Sequence, residues 1–350
     1  MTVLEFSLPA IAPFRLDFTV WALRRRDRNI IDYWNGTKYI RVFTLENSPV
    51  KVQVEQNGIE PQIFVTATSK YPILKLKAKV SNLLNHMLGL QINLNWFYDL
   101  TKNDKLLHPL IIKFLGVKPP RFPTIFEALS NAISCQQVSL ESGLSIQNNL
   151  IKQYGMQFKE NDQVYYAFPE PREMKNYTYN DLMKLGFSHR KSDTLIEVAT
   201  KICDNEKIFT NVENASNEDI IKLFTSFKGI GLWSAEYVLL RGLGRTEILP
   251  GDDVSVQKNI TRIFNLNKKP EAGNKHTEKT TTAQNGKTDK KQVNSKTEVK
   301  EKAAAATNEK KPDYSWMLWL AGIVVGLLIL LFLYHKISAG TFLSGLFKRK

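Results

Sequence analysis

The chain has 350 residues, 43% of them hydrophobic, and its 48 lysines and arginines outnumber its 34 aspartates and glutamates, giving a formal net charge of +14. This length allows two or three domains, and the positive charge indicates a polyanionic partner, either nucleic acid or an anionic membrane surface. The two cysteines, Cys135 and Cys203, are too few for a zinc or iron–sulfur site and favour a reducing compartment. Residues 1–10 lack a basic segment and a long apolar run, so we expect no signal peptide.

The first part of the chain carries the turn signals of an antiparallel sheet. Asn35-Gly36 separates two apolar stretches, residues 30–34 and 38–45, which predicts a β-hairpin. Two further strands are expected over residues 50–54 and 63–68, with the turn Asn57-Gly58 between them.

The residues around these strands complete a small domain. The alternation over Phe14–Leu23 predicts another strand, and the cluster Arg24-Arg25-Arg26 that follows it is either a solvated turn or a contact with DNA. Pro72 is expected to begin an amphipathic helix that ends near Leu88. Residues 1–90 are therefore predicted to form an α+β domain with an antiparallel sheet.

From residue 91 to residue 264 the pattern is mainly helical. Residues 123–153 have apolar side chains at i, i+3 and i+4 spacing, which predicts two core-facing helices. The turn Gln136-Gln137-Val138-Ser139 interrupts them with adjacent amides. One interpretation of these amides is buried glutamine satisfied by the backbone.

The stretch from Ser216 to Lys258 organises this helical region. Ser216 and Asp219 form a capping-box pattern at the start of a helix, and the sequence Gly229-Ile230-Gly231 predicts its end in a tight turn, because glycine adopts backbone angles closed to other residues. A second helix is expected from Leu232 to about Leu243. The hairpin's backbone N–H groups and the helix start would bind a phosphate without reading base sequence. The alternative is an ordinary corner between two helices.

Two side-chain pairs accompany the hairpin. Trp233 and Tyr237 lie at i and i+4, on one face of the second helix, where aromatic residues also serve as ordinary core. Asp252 and Asp253 follow in a loop that begins with Pro250-Gly251, and they are candidates for chemistry or simply caps of a helix that begins near Val254.

Together these residues resemble the helix-hairpin-helix DNA glycosylases with a Gly/Pro-rich loop and a catalytic aspartate, most closely the 3-methyladenine DNA glycosylase II branch. The segment Phe14–Arg26 also resembles the opening of that branch's N-terminal α+β domain. The matching residues of the hairpin region are Gly229, Ile230, Gly231, Trp233, Ser234, Ala235, Tyr237, Arg241, Gly242, Pro250, Asp252 and Asp253.

The resemblance implies roles for individual residues. The family's catalytic aspartate is the second of the pair, Asp253, although the extra Gly251 in the loop keeps Asp252 as an alternative. Trp233 and Tyr237 would line the base pocket, and Gln137 would enter the duplex where the base leaves.

The resemblance also implies the DNA contacts and the reaction type. Gly229, Gly231 and Ser234 would contact DNA. Relatives that cut the strand have a lysine in place of Trp233, so a monofunctional enzyme is expected. No metal or organic cofactor is implied, only a monovalent cation at the hairpin backbone.

The last part of the chain departs from this family. Past Phe264 the resemblance is expected to stop, so the helical domain is predicted to lack the family's final helices. Residues 265–311 are rich in Lys, Thr, Asn and Glu, which predicts a disordered linker. Residues 316–334 form an apolar run of bilayer-spanning length with aromatics at both ends, and residues 335–350 form a basic tail.

The sequence therefore predicts a single-pass membrane protein whose DNA-binding part lies on the cytoplasmic side. The expected function is base-excision repair, by hydrolysis of the N-glycosidic bond of alkylated bases in double-stranded DNA, with the protein a monomer. The alternative is a non-catalytic, membrane-tethered DNA-binding protein that keeps the phosphate-binding hairpin without hydrolysis.

Overall fold

The computed structural model describes residues 1–175, 177–205, 207–264 and 266. The predicted linker over 265–311 (apart from Leu266), the predicted span over 316–334 and the basic tail lie outside the described residues. In the part that is described, every helix is too short or too polar to cross a bilayer.

The N-terminal part contains the antiparallel sheet that the turn signals predict. Its five strands lie in the order β1-β5-β4-β3-β2. The turn Asn35-Gly36 joins β2 to β3 with Trp34 opposite Tyr39, and Asn57-Gly58 lies between β4 and β5. Both predicted hairpins are confirmed. The strands are β1 (Thr2–Pro9), β2 (Tyr33–Trp34), β3 (Lys38–Leu45), β4 (Ser48–Gln56) and β5 (Gln62–Ser69).

Two helices cover one face of this sheet, and one of them corrects the sequence analysis. The strand expected over Phe14–Leu23 is wrong, since helix α1 spans Leu16–Arg24. Leu16, Val20 and Leu23 are buried at i, i+4 and i+7, the spacing of one helical face, and they join the core beneath the sheet. Helix α2 (Leu76–Leu88) packs into the same core and begins four residues after Pro72.

The helical part surrounds helix α5, whose residues 126–134 are all buried. Its core combines side chains from α5, α6, α9, α10 and α11. The predicted helix pair on either side of Gln136–Ser139 is confirmed as α5 and α6. The elements after α2 are α3 (Asn95–Thr101), α4 (Leu107–Lys113), α5 (Ile125–Cys135), α6 (Leu140–Tyr154), β6 (Gln157–Glu160), β7 (Gln163–Tyr166), α7 (Pro171–Met174), α8 (Tyr179–Met183), α9 (His189–Asp204), α10 (Asn217–Thr225), α11 (Leu232–Val238), which continues as a π-helical turn (Leu239–Leu243), and α12 (Val254–Ile263).

A buried ion network joins the sheet to the helical part. Arg41 of β3 donates one hydrogen bond to Asp32 at 2.5 Å and others to both carboxylate oxygens of Glu127 of α5 at 2.6 Å. The hydroxyl of Tyr39 also donates to Asp32, at 2.8 Å. Burial opposes the charge on Arg41, yet the two carboxylates raise its pKa well above the ordinary value, so the cation is held. This network fixes β3 against α5.

Loss of the Arg41 cation would leave two buried carboxylates facing each other. We expect Arg41→Met to lower the free energy of unfolding by about 3–5 kcal/mol, the usual cost of breaking a buried ion pair. Lys38→Met is the matched control, because Lys38 lies on the same strand and pairs with Glu55 at the surface, where such a pair contributes about 1 kcal/mol or less. Urea unfolding measures the free energy of unfolding of both variants. An equal loss of stability in Arg41→Met and Lys38→Met would contradict the structural role of the network.

Candidate DNA-binding and catalytic site

The hairpin between α10 and α11 has the predicted form. The hydroxyl of Ser216 accepts from the Asp219 N–H at 3.1 Å and begins α10, and α11 begins directly after Gly231. The first N–H groups of α11 have no acceptor within the helix, so they are available to an anion.

Only one of the two hairpin glycines is required by backbone conformation. Gly229 has a φ of +87°, and a Cβ there would lie 2.1 Å from Oγ1 of Thr194. Gly231 is extended, with φ −99° and ψ 178°, and a Cβ there would meet no atom within 4 Å. The expectation that both glycines need special angles is therefore correct for Gly229 and wrong for Gly231. A side chain at Gly231 would instead occupy the space outside the turn.

Because the two glycines differ in this way, substitutions at Gly229 and at Gly231 should affect stability and DNA binding separately. We expect Gly229→Ala to destabilise the protein by about 1 kcal/mol or more, because it adds positive-φ strain and a steric clash. Gly231→Val should keep the free energy of unfolding but weaken DNA affinity, since its side chain would lie where a phosphate approaches the helix start. Thermal unfolding and duplex binding by fluorescence anisotropy measure the two effects. Unchanged DNA affinity of a folded Gly231→Val variant would exclude the hairpin as the phosphate site.

Gln136 connects the hairpin to the turn that ends α5. Its side-chain Nε2 donates to the carbonyl oxygen of Gly229 and to the hydroxyl of Ser234, both at 3.0 Å. The predicted interpretation, a buried glutamine satisfied by the backbone, is correct in part for Gln136, which is half-buried and donates to one backbone carbonyl and one side chain. Ser234 is 2% exposed and its hydroxyl accepts from Gln136, while its contact with DNA stays a prediction. Gln136 thus holds the two turns together.

Gln137 differs from its neighbour in both conformation and exposure. It has a φ of +54° and its side chain is exposed, directly beside the anchored Gln136. The turn therefore presents one amide to solvent while the other holds the hairpin. The entry of Gln137 into a duplex stays a prediction.

The aromatic pair on α11 lies between the hairpin and the acidic loop. The rings of Trp233 and Tyr237 stack with centroids 5.5 Å apart and an interplanar angle of 26°. The Trp233 indole N–H donates to Oδ2 of Asp253 at 3.1 Å. The Tyr237 hydroxyl donates to Oδ1 of Asn131 at 2.6 Å. One face of α11 therefore carries both rings, and Trp233 contacts the carboxylate directly.

Asp253 is fixed on both carboxylate oxygens. Its Oδ1 accepts from the N–H groups of Ser255 and Val256, at 2.8 and 3.0 Å, and so caps α12, while Oδ2 accepts from Trp233. The capping interpretation is therefore correct, and the same hydrogen bonds orient the carboxylate. Asp252 is exposed, and the described residues provide no such partners for its side chain. The geometry thus distinguishes the two aspartates.

Sequence reasoning missed the contribution of α1 to this site. Arg25 ends α1 with a φ of +65°, and its Nη2 donates to the Tyr237 hydroxyl at 2.7 Å. The two residues are 212 positions apart, so no local pattern could reveal the contact. The only signal was the cluster Arg24-Arg25-Arg26, whose members take different partners, with Arg24 on Asp27 and Arg26 on Glu141.

A second acidic group lies beside the loop. Burial, and then the neighbouring Asp252 carboxylate, raises the pKa of Glu236 on α11 from 4.5 to about 7. A carboxyl with a raised pKa in the folded state favours folding most when it is protonated. The free energy of unfolding should therefore fall as the pH rises from about 4.5 to above 7.

Replacing Glu236 should remove that loss. We expect Glu236→Gln to raise the free energy of unfolding at about pH 8 by about 1–2 kcal/mol after screening by solvent, with no gain near pH 4.5. The exposed Glu218 on α10 offers a control, because Glu218→Gln makes the same chemical change at a solvated position. Urea unfolding at the two pH values measures the free energy of unfolding of each variant. An equal gain in stability at both pH values would contradict the raised pKa of Glu236.

Comparison with known proteins agrees with this arrangement. Residues 131–283, which include the hairpin and the acidic loop, match the family described as HhH-GPD superfamily base excision DNA repair proteins. This chain is therefore similar to that superfamily over most of its helical part. The match continues to residue 283, past Phe264, where the resemblance was expected to stop.

Individual relatives extend the similarity to the N-terminal part. The DNA-3-methyladenine glycosylase of Bacillus subtilis is 28% identical over 269 residues, covering 77% of this chain and 88% of that protein. DNA-3-methyladenine glycosylase 1 of Schizosaccharomyces pombe is 30% identical over 146 residues, covering 41% of this chain and 60% of that protein. The structure of the 3-methyladenine DNA glycosylase of Archaeoglobus fulgidus has a TM-score of 0.65 at 22% identity, and the match covers 76% of this chain and 88% of that protein. This last likeness establishes the fold, a sheet domain followed by a helical domain.

Proposed function

We propose that this protein is a monofunctional DNA glycosylase that hydrolyses the N-glycosidic bond of alkylated bases in duplex DNA. The observation that carries the proposal is the Asp253 carboxylate, held by the α12 N-terminus and by Trp233 beside the hairpin. The HhH-GPD match and the relatives named DNA-3-methyladenine glycosylases support the same activity.

The chemistry needs a fixed negative charge. As the N-glycosidic bond breaks, positive charge develops on the sugar, and a preorganised carboxylate stabilises that charge without reorientation. The same carboxylate can orient the attacking water and accept its proton. Because both oxygens of Asp253 are already held, the charge would be in place before the base leaves.

Duplex binding would come from the two turns that Gln136 joins. The hairpin would hold a backbone phosphate through N–H groups of α11, and Gln137 would fill the space that the extruded base leaves in the stack. An alkylated purine is cationic, so the electron-rich faces of Trp233 and Tyr237 suit it. Position 233 carries no lysine for a Schiff base, which favours hydrolysis that leaves an abasic site.

A monovalent cation at the hairpin backbone belongs to this proposal. The hairpin carbonyl of Gly229 accepts one hydrogen bond, from Gln136. A carbonyl oxygen has two lone pairs, so this group fits a cation as well. The cation would strengthen phosphate binding electrostatically.

The proposed location is a membrane, with the DNA-binding part on the cytoplasmic side. It rests on the sequence of residues 316–334 alone, which has the length and composition of a bilayer span.

Removing the charge of Asp253 should separate chemistry from binding. We expect Asp253→Asn to reduce release of free base from methylated duplex DNA by about 10²-fold or more, with duplex affinity nearly unchanged, because the variant keeps the side chain's size and loses its charge. The control is Asp252→Asn, which changes an exposed neighbour and should leave the rate nearly unchanged. Both are measured by chromatography of released base under single-turnover conditions.

The outcomes distinguish the candidate functions. Loss of activity in Asp252→Asn alone would move the catalytic role to Asp252. Duplex binding by the unaltered protein without any base release would leave the non-catalytic, DNA-binding alternative.

A further inference from the structure

A half-open cavity lies where the sheet meets the helical part, away from the candidate catalytic site. Its volume is about 310 Å³, within the range of about 300–1,000 Å³ that is usual for small-molecule sites. It is lined by residues 41–45 of β3, residues 123–127 at the start of α5 and residues 168–171. The turn that carries Gln136 lies at the other end of α5, about 15 Å away at 1.5 Å per residue. The cavity is therefore distinct from the site proposed to bind DNA.

Aromatic rings form much of the cavity wall. The phenylalanines that line it are Phe43, Phe126, Phe168 and Phe209. Phe126 and Phe168 meet edge to face, with centroids 6.2 Å apart and an interplanar angle of 70°. Phe168 and Phe209 are only half-buried, so part of this apolar wall is open to solvent. The face of an aromatic ring is electron-rich and attracts a cation within about 6 Å.

The charged groups at the cavity are mainly acidic, although the whole chain has a formal net charge of +14. Among the described residues that line it, the charged ones are Arg41, Glu127 and Glu170. The Arg41 cation is already paired with two carboxylates, Asp32 and Glu127. Burial, with a smaller contribution from Asp32 and against the effect of Arg41, raises the pKa of Glu127 to about 7. The carboxylates therefore exceed the positive charge beside them, and a further cation would be favoured.

The Glu170 carboxylate lies on a segment that is fixed in position. Proline precedes and follows Glu170 in the sequence, which restricts the backbone on both sides. Glu170 also caps α7, and its N–H donates to Oε2 of Glu173 at 2.9 Å. Its side chain pairs with Arg172, which is half-exposed, so solvent screens this pair. The acidic side of the cavity is thus in place before any ligand binds.

We propose that this cavity binds a small organic cation, a quaternary ammonium group with an apolar body, between the phenylalanine rings and the carboxylates of Glu127 and Glu170. The apolar body would cover the half-exposed wall and remove it from water. The cationic group would contact the ring faces, as in the aromatic cages that recognise quaternary ammonium. The site does not depend on the proposed glycosylase function.

The test compares a cation with its uncharged isostere on the full-length protein. Benzyltrimethylammonium and neopentylbenzene have nearly the same shape, because they differ only in the exchange of a nitrogen cation for a carbon atom. Ligand-observed NMR at fixed ionic strength measures the affinity of each. We expect the cation to bind at least about fivefold more tightly, since only the cation gains from the ring faces and the carboxylates. Equal affinities, or absence of cation binding, would overturn the proposal.

Two variants locate the bound cation. Phe168→Leu keeps an apolar wall and loses an aromatic face, so we expect it to weaken cation binding about fivefold and to change isostere binding less than about twofold. Glu170→Gln removes a carboxylate of the same size, and we expect a similar selective loss. Glu218→Gln, at an exposed position on α10, is the matched control and should keep the affinity for the cation. Thermal unfolding confirms that each variant is folded, and unchanged cation affinity in both cavity variants would overturn the proposal.

A further variant distinguishes this cavity from the candidate base pocket, where Trp233, Tyr237 and Asp253 also combine rings with a carboxylate. Asp253→Asn should bind benzyltrimethylammonium as tightly as the unaltered protein does. Weaker binding by Asp253→Asn, with no loss in Phe168→Leu, would place the cation in the base pocket and overturn the proposal. Neither duplex binding nor base release is measured in this experiment, so its outcome is separate from that of the glycosylase assay.

Discussion

The buried network around Arg41 is the constraint on which the candidate site depends. It holds strand β3 against helix α5 by charge-assisted hydrogen bonds to Asp32 and Glu127. Helix α1 packs in the same core as β3, so fixing the sheet also fixes the end of α1 at Arg25. The guanidinium of Arg25 can meet Tyr237 only because the two parts of the chain are held in one orientation. The N-terminal part of the chain thus contributes Arg25 to the candidate site as well as supporting it.

Helix α5 also positions the two turns that are proposed to bind DNA. Asn131, within α5, accepts from Tyr237, and Gln136, at its end, donates to both the hairpin and Ser234. Polar contacts of this kind fix the orientation of side chains when the groups are buried and fully paired. The carboxylate of Asp253 follows the same principle, since the bonds that cap α12 also fix the group proposed to act on the sugar. The structural role of Asp253 and its proposed catalytic role therefore depend on the same hydrogen bonds.

Local sequence patterns predicted the β-hairpins, the helix pair on either side of Gln136 and the helix-hairpin-helix. Each of these elements depends on turn residues and apolar spacing within one short segment of the chain. They failed over Phe14–Leu23, where a short apolar segment fits both a strand and a helix and packing against the sheet favours the helix. The contact of Trp233 with Asp253 fits the predicted grouping of those residues. The contact between Arg25 and Tyr237 could not be predicted, because the two residues are 212 positions apart in the sequence and meet only through tertiary packing. The steric clash that a side chain at Gly229 would make with Thr194 likewise depends on tertiary packing, because Thr194 belongs to another helix.

In the proposed reaction, the fixed carboxylate of Asp253 stabilises positive charge on the sugar. The most direct test is the affinity of the full-length protein for duplexes with either a cationic azasugar or a neutral tetrahydrofuran at one abasic position. We expect the unaltered protein to bind the cationic duplex at least about 10²-fold more tightly, because that duplex resembles the transition state, and we expect Asp253→Asn to remove this preference. Equal affinity of the unaltered protein for both duplexes, or a preference that survives in Asp253→Asn, would contradict the proposed role of the Asp253 carboxylate.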